Sequence, residues 1–289
     1  MNLVQLLAAN LAAYIAVAFM LGLLVGSFTN VVALRLPRRM QWQWRQQCAE
    51  LLEQSPPDGV KPPDLVFQRS RCTHCGHGIR PWENIPILSF VFLRGRCSKC
   101  GKRISWQYPT VELVCGILTA AVAWRFGFSI QAAAAMVFSW AAIALAVIDI
   151  REQLLPDDIT LPLLWLGLLL SVKHVFTNPQ DAIIGATAGY LSLWLIYHLF
   201  RLLTKKEGMG YGDFKLFAAI GAWFGWQFLV PTILLSAVAG AVVGMTQIMM
   251  AGRDRSQPIP FGPYLAAAGW VAMMWGRQIL DAYWRFAGF

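Results

Sequence analysis

The chain has 289 residues, 57% of them hydrophobic and 13% charged, with a mean hydropathy of +0.51 and a formal net charge of +9. That balance excludes an ordinary soluble domain and points to an all-α polytopic membrane protein. The positive charge does not require nucleic acid, because basic residues concentrated in cytoplasmic loops account for it and leave anionic lipid headgroups as the nearer partner.

Met1 to Leu34 carries no charged side chain, and a first span is predicted within Leu3 to Leu34. It lacks a basic leading region and a small-residue cleavage site, so it reads as a retained span. Residues 35–108 form a polar domain, and thirteen of the 24 Lys and Arg fall between Arg35 and Arg103. Residues 109–289 return to apolar character, with spans predicted near Thr110–Phe126, Ile130–Asp149, Ile159–Phe176 and Ala182–Leu203. Gly127 and Ser129 supply a tight turn and an N-cap between two of them. Leu216 to Gly252 is one uncharged run of 37 residues. At roughly 55 Å as a single helix it overshoots the bilayer core, so two spans broken near Pro231 are expected. A last span covers about Tyr264 to Trp284, for a total of eight.

With eight spans and the N-terminus outward, Arg151, Arg201, Lys205, Lys206, Lys215, Arg253 and Arg255 share the side of the polar domain, which the positive-inside rule assigns to the cytoplasm. The same count puts Asp149 and Asp213 on that face.

Within the polar domain, Arg71-Cys72-Thr73-His74-Cys75-Gly76 recurs as Arg96-Cys97-Ser98-Lys99-Cys100-Gly101, each copy followed three residues later by Ile79 or Ile104. Two C-x2-C pairs separated by 21 residues fit a four-thiolate zinc site of Cys72, Cys75, Cys97 and Cys100. A pair of disulfides is the alternative, disfavoured in a reducing cytoplasm, and His74 or His77 is the alternative ligand. A closed four-thiolate site has no open position for water, so the metal would be structural. Cys48 and Cys115 lack partner spacing and read as free thiols.

Acidic residues at the edge of a hydrocarbon layer are costly and need a partner. Asp149 follows an uncharged helical run, and Asp213 closes Gly208-Met209-Gly210-Tyr211-Gly212-Asp213. Taken singly, Asp149 reads as a boundary charge and Asp213 as a helix cap. Taken together on one face, each is the other's partner. Two close carboxylates share a proton, so that one can activate water while the other donates, which implies peptide hydrolysis at the membrane surface. Gly210 and Gly212 remove side chains beside the acid and allow close approach of an extended peptide. Glu112 either binds substrate or hydrogen-bonds a neighbouring helix. Arg277 and Asp281 stand four apart and can pair along a helix. Pro156-Asp157-Asp158 reads as a helix start. A transporter or ion-coupled channel is one alternative, against which one-sided acids without an inverted repeat argue, and a structural subunit of a secretion or pilus machine is another, against which the paired acids count.

These motifs resemble the bifunctional type IV prepilin peptidases, membrane aspartic proteases of the GxGD kind. The resemblance rests on Gly26-Ser27-Phe28-Thr29-Asn30, Arg35-Leu36-Pro37, Asn84-Ile85-Pro86, Leu93-Arg94-Gly95-Arg96, Tyr108-Pro109-Thr110-Val111-Glu112, Leu155-Pro156-Asp157 and Gly208 to Asp213, and it covers nearly the whole chain. It implies that Asp149 and Asp213 are the catalytic pair. They would cleave the basic leader of type IV prepilins and type II secretion pseudopilins after a glycine. It also implies N-methylation of the new terminal residue by S-adenosylmethionine, with Gly95 and its loop as candidates for that half, in the bacterial inner membrane.

Overall fold

The computed structural model describes residues 3–55, 61–65, 68–206, 208–251 and 260–286. Every regular element among them is helical, and the only β pairing there is two isolated bridges, Arg71 with Gly78 and Arg96 with Arg103. Arg253 and Arg255, counted above toward the basic face, lie outside the described residues, as do residues 56–60 and 66–67 of the polar domain.

The chain forms two compact units, Met1–Phe128 and Ser129–Phe289. In the first, α1 (Leu3–Ala9) leads into α2 (Leu11–Leu51), capped by the Asn10 side chain, which accepts from the Ala13 amide at 3.1 Å. The composition boundary at residue 35 is not a helix boundary, because α2 runs through Pro37 and on into the polar domain. The short α3 (Leu88–Phe92) and then α4 (Gln107–Phe126) follow. Between two lipid-exposed helices there is little hydrophobic driving force, so small residues that permit close backbone approach decide the pairing. Gly22 and Gly26 play that part in α2: a Cβ would stand 2.8 Å from the Gly116 Cα and 2.7 Å from the Glu112 Cα of α4. Asn30, fully buried, donates to the Tyr108 carbonyl at 3.1 Å and fastens the polar end of the pair. Beyond it, Arg35 donates to the carbonyls of Asp64 and Gln68, and Arg39 pairs with Asp64 at 2.8 Å, tying the helical extension to the strap that follows it.

The second unit comprises α5 (Ile130–Glu152), α6 (Asp157–Ser171), α7 (Pro179–Thr204), α8 (Tyr211–Phe224), α9 (Leu229–Ala251) and α10 (Gly262–Phe286). Ser129 caps α5 as its sequence suggested, accepting from the Ala132 amide at 3.0 Å, and α6 starts at Asp157. α8 is buried almost throughout and packs against α6, α7 and α10, because from Leu216 onward it carries no charged or polar side chain. Glycines again set the distances. A Cβ on Gly185 of α7 would lie 2.4 Å from the Gly221 carbonyl of α8, and one on Gly167 would strike the Trp223 ring, whose Nε1 donates to the Leu163 carbonyl at 2.7 Å.

Among the described residues, five segments are long and apolar enough to cross a membrane: Leu11–Leu51, Gln107–Phe126, Ile130–Glu152, Pro179–Thr204 and Trp226–Gln247. α6 and α8, with 15 and 14 residues, rise only about 20 Å against a hydrocarbon core of about 30 Å. α10 bends at Trp275, whose φ of −132° is not helical. The break expected near Pro231 comes earlier. α8 ends at Phe224, Gly225 adopts a φ of 92°, and Pro231 sits in the first turn of α9, where a missing N–H costs nothing. The Arg277–Asp281 pair does not form. Both residues are exposed, where an ion pair gains little over solvation, and the Asp281 carbonyl accepts instead from Arg285 Nε at 3.2 Å.

Candidate active site and metal centre

Asp149 lies in the last turn of α5 and Asp213 in the first turn of α8, 6% and 7% exposed. Their carboxylates are close enough to interact through their charges. α10 packs against both α5 and α8, and its first residue supplies the link that the sequence did not reveal. The Gly262 amide donates to Asp149 Oδ2 at 2.9 Å, so the carboxylate caps the N-terminus of α10 from another helix and accepts one of its orphan donors. Glycine suits this position, since a Cβ would stand 2.7 Å from Asp149 Oδ2 and push the carboxylate away. Its one sequence signal is the following Pro263, an ordinary helix-start mark that says nothing about a partner 113 residues away.

Asp213 differs from Asp149 in its partners. Its own amide donates to the Gly210 carbonyl at 3.2 Å, while its buried Oδ1 has no hydrogen-bond partner among the described residues. The two nearby glycines also differ. Gly212 is required by packing, because a Cβ would meet the Leu155 Cβ at 2.6 Å. Gly210 has an ordinary extended backbone, its amide hydrogen-bonds the Asp213 carboxylate, and a Cβ would rest 3.6 Å from Asp213 Oδ2, so packing alone does not require a glycine here. Leu155, buried, is wedged against both Gly212 and Gly262. On the exposed rim, Lys215 grips both oxygens of Asp157 at 2.6 and 2.7 Å and joins α8 to the start of α6.

The four cysteines of the repeat converge, with their sulfur atoms all within 4.8 Å of one another. The two knuckles are built alike. Cys72 and Cys97 donate to the carbonyls of His77 and Lys102, Gly76 and Gly101 turn back onto Cys72 and Cys97, and those glycines take φ of 69° and 67°. Only a residue without a Cβ adopts that conformation freely. Amides of Cys75 and His74 point at the Cys72 sulfur and pull its thiol down to about 6, which favours a thiolate at neutral pH. Glu83 braces the knuckles, accepting from the Arg80 amide at 2.9 Å and lying 3.6 Å from His77 Nε2. Four sulfurs gathered this closely have the chemistry and the tetrahedral reach of a metal site, and none is in a disulfide. Cys48 and Cys115 are free as well.

Gly95 closes α3, with a φ of 65° and its amide donating to the Phe90 carbonyl at 2.8 Å. A Cβ would press on the Phe90 ring at 3.0 Å, so this glycine has a conformational reason to be present. Glu112, 8% exposed in α4, accepts from the Ile87 amide at 2.8 Å and from the Ser27 hydroxyl.

A family model described as the type IV leader peptidase family matches residues 136–245, and one described as the bacterial Peptidase A24 N-terminal domain matches residues 20–126. The chain is similar to a prepilin leader peptidase/N-methyltransferase of Stutzerimonas stutzeri, with 53% identity over 99% of each chain. It is also similar to one of Pseudomonas aeruginosa, with 49% identity over the whole of both, and to one of Legionella pneumophila, with 42% identity over 90% of this chain and 91% of the relative. No solved structure matches at comparable significance.

Proposed function

The chain belongs to the type IV leader peptidase family, and from that premise we propose that it removes the leader of prepilins and methylates the new N-terminus. The observation that carries the proteolytic half is the buried pair Asp149 and Asp213, one carboxylate held by a helix-terminal amide and the other with an oxygen left free. Asp149 is the base. Its Oδ2 is fixed by the Gly262 N–H, a hydrogen bond that favours the anion, and its other oxygen takes a proton from the attacking water. Asp213 supplies the proton. Its unpartnered Oδ1 polarises the scissile carbonyl, and the roles exchange as the amine leaves. Gly210 leaves space for an extended peptide beside the acids.

The finer reading keeps the topology expected from charge: eight spans, N-terminus outward, with the acids and the cysteine module facing the cytoplasm in a bacterial inner membrane. Residues 35–108 then act as the cytoplasmic domain between a first span in 1–34 and a protease core in 109–289. The substrates are type IV prepilins and type II secretion pseudopilins, cut after a glycine, whose basic leaders the same charge rule holds inside. Zinc suits Cys72, Cys75, Cys97 and Cys100 and would staple a module with little apolar core. When bound, S-adenosylmethionine supplies an electrophilic methyl group, and the α3 loop with Gly95 is the candidate region for using it.

The test is mass spectrometry of a prepilin incubated with the purified protein, with and without S-adenosylmethionine, beside Asp149→Asn and Asp213→Asn. Leader loss with wild type only, and a methyl mass only with the donor, is the expected pattern. Cleavage by either variant would remove the dyad mechanism.

A further inference from the structure

Glu112 is a buried carboxylate that leader cleavage does not use. Among the described residues no Lys, Arg or His lies within 4.0 Å of it, so when ionised it has hydrogen bonds but no cation. Burying an unpaired anion beside an apolar helix pair is expensive, and the arrangement persists only where something uses it.

The strain beside it points the same way. The amide that Glu112 holds belongs to Ile87, a β-branched residue at φ 60° and ψ −50°. Ile87 is the centre of a three-residue turn in which the Leu88 amide folds back on the Pro86 carbonyl. Such turns are rare and strained even for unbranched residues, and the cost is carried where function fixes it. Around this point the surface is apolar and open: Phe28 of α2 and Leu88, Val91 and Phe92 of α3 are all substantially exposed.

We propose that Glu112, with Ser27, receives the primary ammonium at the N-terminus of an apolar peptide, the product of leader cleavage, and accepts its proton for methyl transfer. Glu112 takes one proton from the ammonium and frees the nitrogen lone pair. That pair forms the new N–C bond as the C–S bond of a sulfonium donor breaks and its electrons leave on sulfur as a neutral thioether. The Ile87 amide fixes the carboxylate, and the apolar rim receives the side chains that follow the amine. This rests on the methyl-transfer reading above.

The experiment measures binding of a C-terminally labelled apolar peptide with a free N-terminal amine, and of its N-acetyl twin, to the full-length protein in detergent without methyl donor. Methyl mass is then followed with S-adenosylmethionine. Wild type is expected to prefer the free amine at least 10-fold. Glu112→Gln keeps an acceptor for the Ile87 amide but loses the charge, so it is expected to lose that preference and about 30-fold or more of the methylation rate. Melting temperature and metal content check its fold. Equal binding of both peptides by wild type, a comparison that needs no variant, or normal methylation by a folded Glu112→Gln would overturn the assignment. A wild type that adds no methyl to any cleaved prepilin would instead remove the methyl-transfer reading, and this inference with it.

Discussion

Gly262→Ala tests whether the base is positioned by the N-terminus of α10. The added Cβ would sit 2.7 Å from Asp149 Oδ2 and 3.1 Å from Leu155 Cδ2, while the backbone N–H that holds the carboxylate stays in place. Relief to an ordinary carbon–oxygen contact requires the carboxylate and the helix end to separate by about 0.5–0.7 Å, in a site where about 1 Å of misplacement costs about 100-fold. A fall in kcat/KM for leader cleavage of roughly 10- to 100-fold follows, with stability lowered by about 1–3 kcal/mol from overpacking. A fluorogenic leader peptide reads the first quantity and thermal unfolding in detergent the second. Methylation of a pre-cleaved peptide serves as an internal control that does not pass through Asp149. Cleavage within twofold of wild type would refute the placement of Asp149 by Gly262.

Gly185→Ala is expected to cost about 2–4 kcal/mol, because its Cβ would meet the Gly221 carbonyl, a rigid backbone atom, at 2.4 Å; a melting temperature within 2 °C of wild type would contradict that packing. Trp223→Phe should cost about 1–3 kcal/mol by removing the indole's hydrogen bond to the Leu163 carbonyl and part of a fully buried ring, again read by thermal unfolding. Replacing Lys215 or Asp157 by Ala should change stability by less than about 1 kcal/mol, since the pair is half-exposed, and a double-mutant cycle checks it. Metal analysis of the purified protein should find one zinc per chain that is lost on acidification, because protons compete for the thiolates, and in Cys72→Ser; a metal-free, folded wild type would contradict the assignment of the cysteine cluster.

Local chemistry was legible in the sequence, and partnership across the chain much less so. The duplicated knuckles could be read because their spacing alone dictates the turn that brings each pair together. Ser129 and Asp157 could be read because caps act over three or four residues. Asp149 and Asp213 were brought to one face by counting spans, a count that took α6 and α8 as full spans, although at 15 and 14 residues they are the shortest of the helices it used. Nothing local connects Gly262 to Asp149. Pro231 drew the predicted break because proline is the stronger punctuator, but a proline in a first turn is harmless and Gly225, with its positive φ, ends the helix. Pro37 marks no boundary either, for α2 passes through it.

That continuity makes α2 a cantilever. A helix of 41 residues is roughly 60 Å long, with its apolar root clamped to α4 at Gly22 and Gly26 and its polar half braced through Arg35 and Arg39. A module joined by a floppy linker would tumble on its own. This one is mounted on a stiff beam, and the neighbouring rung of that beam carries Ser27. Ser27, which hydrogen-bonds Glu112, and Trp44 and Arg45 thus belong to one unbroken helix.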